Sequence, residues 1–156
     1  IPAKGQYPLD HHLSYSRNTQ QAKRIVLIDI HGKKLRTRVV RVMCSGRVDP
    51  QFVLDAFAQG ADGVLIGGCH PGDCHYIEGN YKCLRRARLL KRMLMDLGIE
   101  EARFRLEWIS ASEGDKVRSV VNEMVKQVRA LGPLNLPGRR KAADGEMEAA
   151  RHGAHE

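Results

Sequence analysis

The sequence contains no apolar run approaching the roughly 20 residues that a membrane-spanning helix needs. Its opening, IPAKGQYPLDHH, lacks the apolar stretch of a secretory signal. It also lacks an initiating methionine, which suggests a processed or truncated N-terminus. Cysteine is scarce: four in 156 residues, unevenly spaced and without an export signal. That argues against a disulfide framework and for a reducing compartment, where clustered cysteines bind metal or do redox chemistry. There is no internal repeat. GVLIGGCHPG also lacks the GxGxxG spacing that opens a dinucleotide-binding helix.

What remains is a chain of one-domain length, 42% hydrophobic, with a net charge of +8. The charge is unevenly placed. Residues 1–41 hold nine Lys or Arg against two acids, residues 42–132 hold thirteen against twelve, and residues 133–156 hold four of each. A domain that grips phosphates carries its positive stripe on the folded body. Here the body is nearly neutral, which argues against nucleic acid as a partner.

Residues 1–22 read as a loose basic arm. RIVLIDI (24–30) and LRTRVVRVM (35–43) read as strands, and the short HGKK between them suits a hairpin better than a crossover. His31 is then a turn residue. Asp49-Pro50 is an N-cap followed by a first-turn proline, opening a helix that Gly60 can close. DGVLIGG (62–68) has strand length and flanking glycines. KCLRRARLLKRMLMDLG is an amphipathic helix with Leu84, Ala87, Leu90, Leu94 and Leu97 on its apolar side and Met93 beside them. RFRLEWI (103–109) is a further strand. The next helix takes Ser112 as N-cap, turns Val117, Val120, Val121, Met124, Val128 and Leu131 to one face, and stops at Gly132-Pro133. Residues 133–156 read as a disordered tail. Alternation of strand and helix from residue 38 predicts α/β: a small, mostly parallel sheet with helices on its faces. The expected arrangement is three-layered, flavodoxin-like or Rossmann-like, with an N-terminal hairpin, all within one domain over 23–132.

In a parallel sheet the carboxyl ends of the strands share one rim, where such folds place ligands. Cys44 follows one strand and Cys69 another, while Cys74 lies in the glycine-rich GGCHPGDCHYIEGNYKC (67–83). Soft thiolates on one rim suit zinc, copper(I) or an iron–sulfur cluster, and spacing alone does not choose among them. Each residue also has a plainer reading. Cys44 alone could be core, and His70 could only shape the turn before Pro71. His75 could be a ligand, a donor to sulfur or an exposed loop residue. Cys83 sits four residues before Ala87 on the apolar stripe, so packing competes with a ligand role. The six Lys and Arg between 82 and 92 read as a solvated helix face or a dock for an acidic partner. A cysteine–histidine nucleophile is disfavoured, since no third orienting group is apparent.

RVMCSGRVDP (41–50), DGVLIGGCHPGDCHYIEGNYK (62–82) and LEWISASEG (106–114) resemble the delta subunit of methyl-viologen-reducing hydrogenase, over about residues 38–132. The resemblance implies a small cytoplasmic, non-catalytic electron-transfer subunit with a [2Fe-2S] cluster, of the kind found in methanogenesis. It implies a hetero-oligomer that links a hydrogenase or formate dehydrogenase to the flavoprotein of a heterodisulfide reductase. By position, Cys44, Cys69 and Cys74 match family cysteines, and His70 and His75 match family histidines. The cluster-binding set is then Cys44, Cys69, Cys74 and His75, with Cys83 as the candidate further metal ligand and zinc as the weaker alternative to iron. Upstream the chain departs from the family: RIVLIDIHGKKLRTR fills the place of a cysteine-rich stretch and contains no cysteine. An adaptor that has lost its cluster is the competing reading.

Overall fold

A computed structural model describes residues 23–29, 36–110 and 112–136. The basic arm, the turn containing His31 and the tail beyond 136 lie outside the described residues. Strands β1 (Lys23–Asp29) and β2 (Arg36–Val42) form the expected antiparallel hairpin, with Ile25 opposite Val40. After a 3-10 turn at Ser45–Arg47, helix α1 (Pro50–Ala58) starts with the Asp49 carboxylate accepting the Gln51 N–H at 2.9 Å. There follow β3 (Gly63–Gly68), α2 (Gly79–Asp96), a 3-10 turn at Glu101–Arg103, β4 (Phe104–Trp108) and α3 (Gly114–Leu131). Helix α2 starts a turn earlier than its periodicity suggests. Helix α3 is preceded by Glu113 in place of Ser112, whose hydroxyl instead meets that of Ser110 at 2.9 Å.

The strand order is β2-β1-β3-β4, and here the expected mostly parallel sheet is corrected. Only β3 and β4 are parallel; β1 pairs antiparallel with both β2 and β3. The result is a mixed, mostly antiparallel sheet, and neither a flavodoxin-like nor a Rossmann-like one. The physical reason lies in the hairpin. A short turn forces β1 to run against β2, and β1 is apolar on both faces, so it takes a central place that buries both. Ile25 then packs with α1 and α2, while Val26 and Ile28 pack with α3.

Helices therefore cover both faces, as the three-layer reading requires. One cluster joins Val53 and Phe57 of α1 with Ala87, Leu90 and Leu94 of α2 across Val64, Ile66 and Phe104. The other joins Val120, Met124, Val125 and Val128 of α3 to Leu65. Burying each large apolar side chain contributes roughly 1.5–3 kcal/mol, so these two clusters hold the layers together. Met93, Leu97 and Leu131, expected on apolar faces, are exposed. Packing continues past Pro133: Leu134 is buried in the first cluster, and its N–H donates to Asp62 Oδ1 at 2.7 Å.

One consequence positions the site. Since β1 opposes both of its neighbours, β2, β3 and β4 still point the same way. Their carboxyl ends share one rim even though the sheet is not parallel.

Candidate functional site

Cys44 lies just past β2, Cys69 just past β3, and Cys74 in the loop leading to α2. Together they form a small buried cluster of their own. The Sγ atoms of Cys44 and Cys74 are 3.8 Å apart, and the Gly46 N–H points at Cys44 Sγ from 3.4 Å. The three thiols expected on the rim are thus brought together, by residues 30 apart in the case of Cys44 and Cys74.

The glycines explain how sulfur atoms fit there. A Cβ on Gly79 would overlap Cys44 Sγ and lie 3.0 Å from Cys74 Sγ. A Cβ on Gly46 would come within 2.7 Å of Gly79 Cα and O. Two stretches of main chain therefore touch directly, and the thiols sit over the first turn of α2, where N–H groups point outward and the helix dipole is positive. Arg86, on the same helix, donates to the Gly46 carbonyl at 2.8 Å and holds the Cys44 loop to α2.

Electrostatics follow from this arrangement. Burial works to raise the Cys74 thiol above its ordinary value of 9.0. The N–H groups of Asn80 and Tyr76, with the neighbouring Cys44 and Cys69 thiols, outweigh it and pull the value down. Donors aimed at sulfur favour the thiolate, which is the form that binds metal. Cys83 behaves oppositely. It is buried in the main core beside Ala87 and Leu90, and burial pushes its thiol up to about 11. Of the two readings open for Cys83, packing is the one its surroundings match.

The histidines separate as well. His75 is exposed, its ring edge-on to Tyr76 with centroids 5.1 Å apart. His70 Nε2 lies 2.7 Å from Glu113 Oε2, and Glu113 also accepts the Ser110 N–H at 2.6 Å. The Ser110 N–H, then the His70 ring, and more weakly the Lys116 charge, lower the Glu113 carboxyl to about 2. This clasp ties the cysteine loop to the end of β4. Fully buried Asn80 completes the loop, its Nδ2 donating to the His70 carbonyl at 2.7 Å and weakly to that of Cys69 at 3.4 Å. Sequence reasoning assigned no role to Asn80, Gly79 or Glu113. The available signals were Gly-Asn at a helix start and the acid in LEWISASEG.

Among the described residues, no set of three or more His, Cys, Asp or Glu side chains is spaced to hold a single metal ion. The chemistry of the site nevertheless fits an iron–sulfur cluster in kind: three thiols, inward N–H groups and a glycine cradle that a Cβ would fill. It supplies three of the four thiolates such a cluster commonly takes.

The rim thus defines a small α/β protein with a gathered thiol site, and similarity to known proteins carries this further. Residues 18–132 match the family of the methyl-viologen-reducing hydrogenase delta subunit, and the chain belongs to that family. It is 58% identical over 99 residues to an F420-non-reducing hydrogenase iron–sulfur subunit of Methanococcus voltae, covering 64% of this chain and 69% of that one. It is 60% identical over 99 residues to the corresponding iron–sulfur subunit of Archaeoglobus profundus, covering 64% and 72%. It is also 43% identical over 106 residues to a CoB-CoM heterodisulfide reductase subunit of Methanosarcina acetivorans, covering 68% of this chain and 13% of that much longer one. No helix among the described residues is long and apolar enough to cross a membrane.

Proposed function

We propose that this chain is a non-catalytic electron-transfer subunit of a hydrogenase–heterodisulfide reductase assembly, with Cys44, Cys69 and Cys74 holding a [2Fe-2S] cluster. The observation that carries the reading is the convergence of these three thiols from two strand ends and a loop. Similarity to a hydrogenase iron–sulfur subunit, and to a segment of a heterodisulfide reductase, supports the two neighbours. A domain found alone in one protein and built into another is expected to dock on that second protein when separate. The donor is a hydrogenase or a formate dehydrogenase, and the acceptor a flavoprotein of the heterodisulfide reductase type.

When bound, the cluster supplies one-electron transfer. The chain's own part is to bind and tune. The Gly46, Tyr76 and Asn80 N–H groups stabilise charge on sulfur, burial keeps water from the thiols, and the His70–Glu113 clasp with Asn80 fixes the loop. Cys83 stays in the core, and the fourth donor comes from outside this trio.

A second reading is supported by two observations: the upstream RIVLIDIHGKKLRTR contains no cysteine, and Cys83 lies among core side chains. On that reading the chain is an adaptor with the same partners and no cluster.

Anaerobic reconstitution separates the two. About two irons and two acid-labile sulfides per chain, with an S = 1/2 signal after dithionite reduction, are expected for the relay. Folded protein without iron or signal would leave the adaptor. Single Ser substitutions at Cys44, Cys69 or Cys74 are expected to abolish iron uptake, and Cys83→Ser to keep it. Zinc retained in preference to iron would overturn both readings.

A further inference from the structure

Strand β4 is an edge: among the described residues it pairs with β3 and with nothing on its other side. The Ile109 N–H donates to the Gly68 carbonyl at 2.7 Å, which fixes the phase of the main chain. Main-chain groups alternate sides along a strand, so residues 105, 107 and 109 turn theirs to β3 and Leu106 turns its N–H and C=O outward. The Trp108 carbonyl, also outward, already accepts Lys116 Nζ at 2.6 Å.

Helix α2 overhangs this outer side of β4. Between them runs a groove of about 340 Å³, with Leu84, Arg88 and Lys91 on the helix side and Phe104, Leu106 and Trp108 on the strand side. Leu106 and Trp108 are only half-buried. Arg88 has no ion-pair partner among the described residues, and neither do its exposed neighbours Arg85 and Arg92. Among the described residues, β4 thus presents an outward-facing edge beneath a basic helix.

We infer that the β4 edge is a docking site for an extended segment of a partner protein, which adds as a fifth strand and presents to α2 a face that is aliphatic at its centre and acidic at its ends. Its main chain pairs with Leu106. On that face, which takes every second residue, aliphatic side chains cover Leu106 and Trp108 and the flanking acids meet Arg88 and the basic helix. The geometry and the charge point to the same occupant: outward N–H and C=O groups call for peptide, and unpaired guanidinium groups call for carboxylates. The inference is independent of whether the rim holds a cluster.

The test uses the full chain, ¹⁵N-labelled, and the peptide acetyl-Glu-Thr-Val-Thr-Val-Thr-Glu-amide, whose Glu and Val side chains share one face, with a lysine-for-glutamate peptide as control. Trp108 is the chain's one tryptophan, so its fluorescence reports the groove. Amide shifts confined to 84–91 and 104–110, a Trp108 emission change and preference for the acidic peptide are expected. Leu106→Pro removes one outward N–H at a position where an edge strand tolerates proline, and is expected to weaken binding about tenfold, whereas Leu106→Val keeps it. Arg88→Glu tests the charge without touching the strand and is also expected to weaken binding. No binding, shifts elsewhere, equal affinity for the lysine peptide, or unchanged affinity in both Leu106→Pro and Arg88→Glu would overturn the inference.

Discussion

The two ends of the sheet bury polar groups in contrasting ways. At the amino end of β3 and β4, Arg103 is fully buried. It donates to Glu100 Oε2 at 2.7 Å and to the Asp62 carbonyl at 3.1 Å, while Asp62 receives the Leu134 N–H. Each of these groups has its partner inside the chain, and the network ties helix, strand and C-terminal segment together. At the carboxyl rim the thiols face one another and the N–H groups of a helix terminus. Those donors stabilise charge that the chain itself need not carry. The first arrangement is closed and structural, whereas the second is suited to receive something.

That contrast can be broken at either end. Arg103→Ala leaves Glu100 and the Asp62 carbonyl without their buried donor, and a loss of about 3 kcal/mol is expected in urea unfolding, with iron uptake after reconstitution unchanged. Gly79→Ala acts on the rim, where its methyl overlaps Cys44 Sγ. About 2 kcal/mol of destabilisation is expected, together with loss of iron uptake, which the Arg103 variant keeps. If both variants lose iron equally, the two ends are one cooperative unit and the contrast fails.

The Glu113 clasp sharpens the comparison through pH. Its carboxyl is lowered from an ordinary 4.5 to about 2, so its contribution is present above 4.5 and is lost as pH falls toward 2. Glu113→Gln removes that charge at every pH. It is expected to lower the melting temperature at neutral pH, to leave the value near pH 2 little changed, and so to flatten the acid limb in melts from pH 2 to 7. The smallest effect is expected in the loop. Ile77 is exposed and β-branched, and it holds φ at 61°. Ile77→Gly is expected to raise stability by about 0.5–1 kcal/mol, read as a small increase in melting temperature.

Much of this was legible before the structure. The Asp49 cap, the hairpin, the helix stripes and the meeting of Cys44, Cys69 and Cys74 follow from local patterns and strand ends. Sheet direction was not, because an apolar strand looks the same whether its neighbour runs with it or against it. The rim survived that error because β1, the reversed strand, carries no cysteine. Which way His75 turns was not legible either, because a histidine beside a cysteine has the same spelling whether it faces inward or, as here, lies exposed against Tyr76. Asn80 was missed because a buried amide serving two carbonyls reads in sequence as one more polar loop residue.

The contact between Gly46 and Gly79 has a consequence for how this protein tolerates change. In a library sampling every amino acid at every position, neither glycine carries a group that binds, donates or reacts through a side chain. Both should nonetheless rank among the least replaceable positions, beside the cysteines themselves. What those two positions contribute is empty space, and any substituent consumes it.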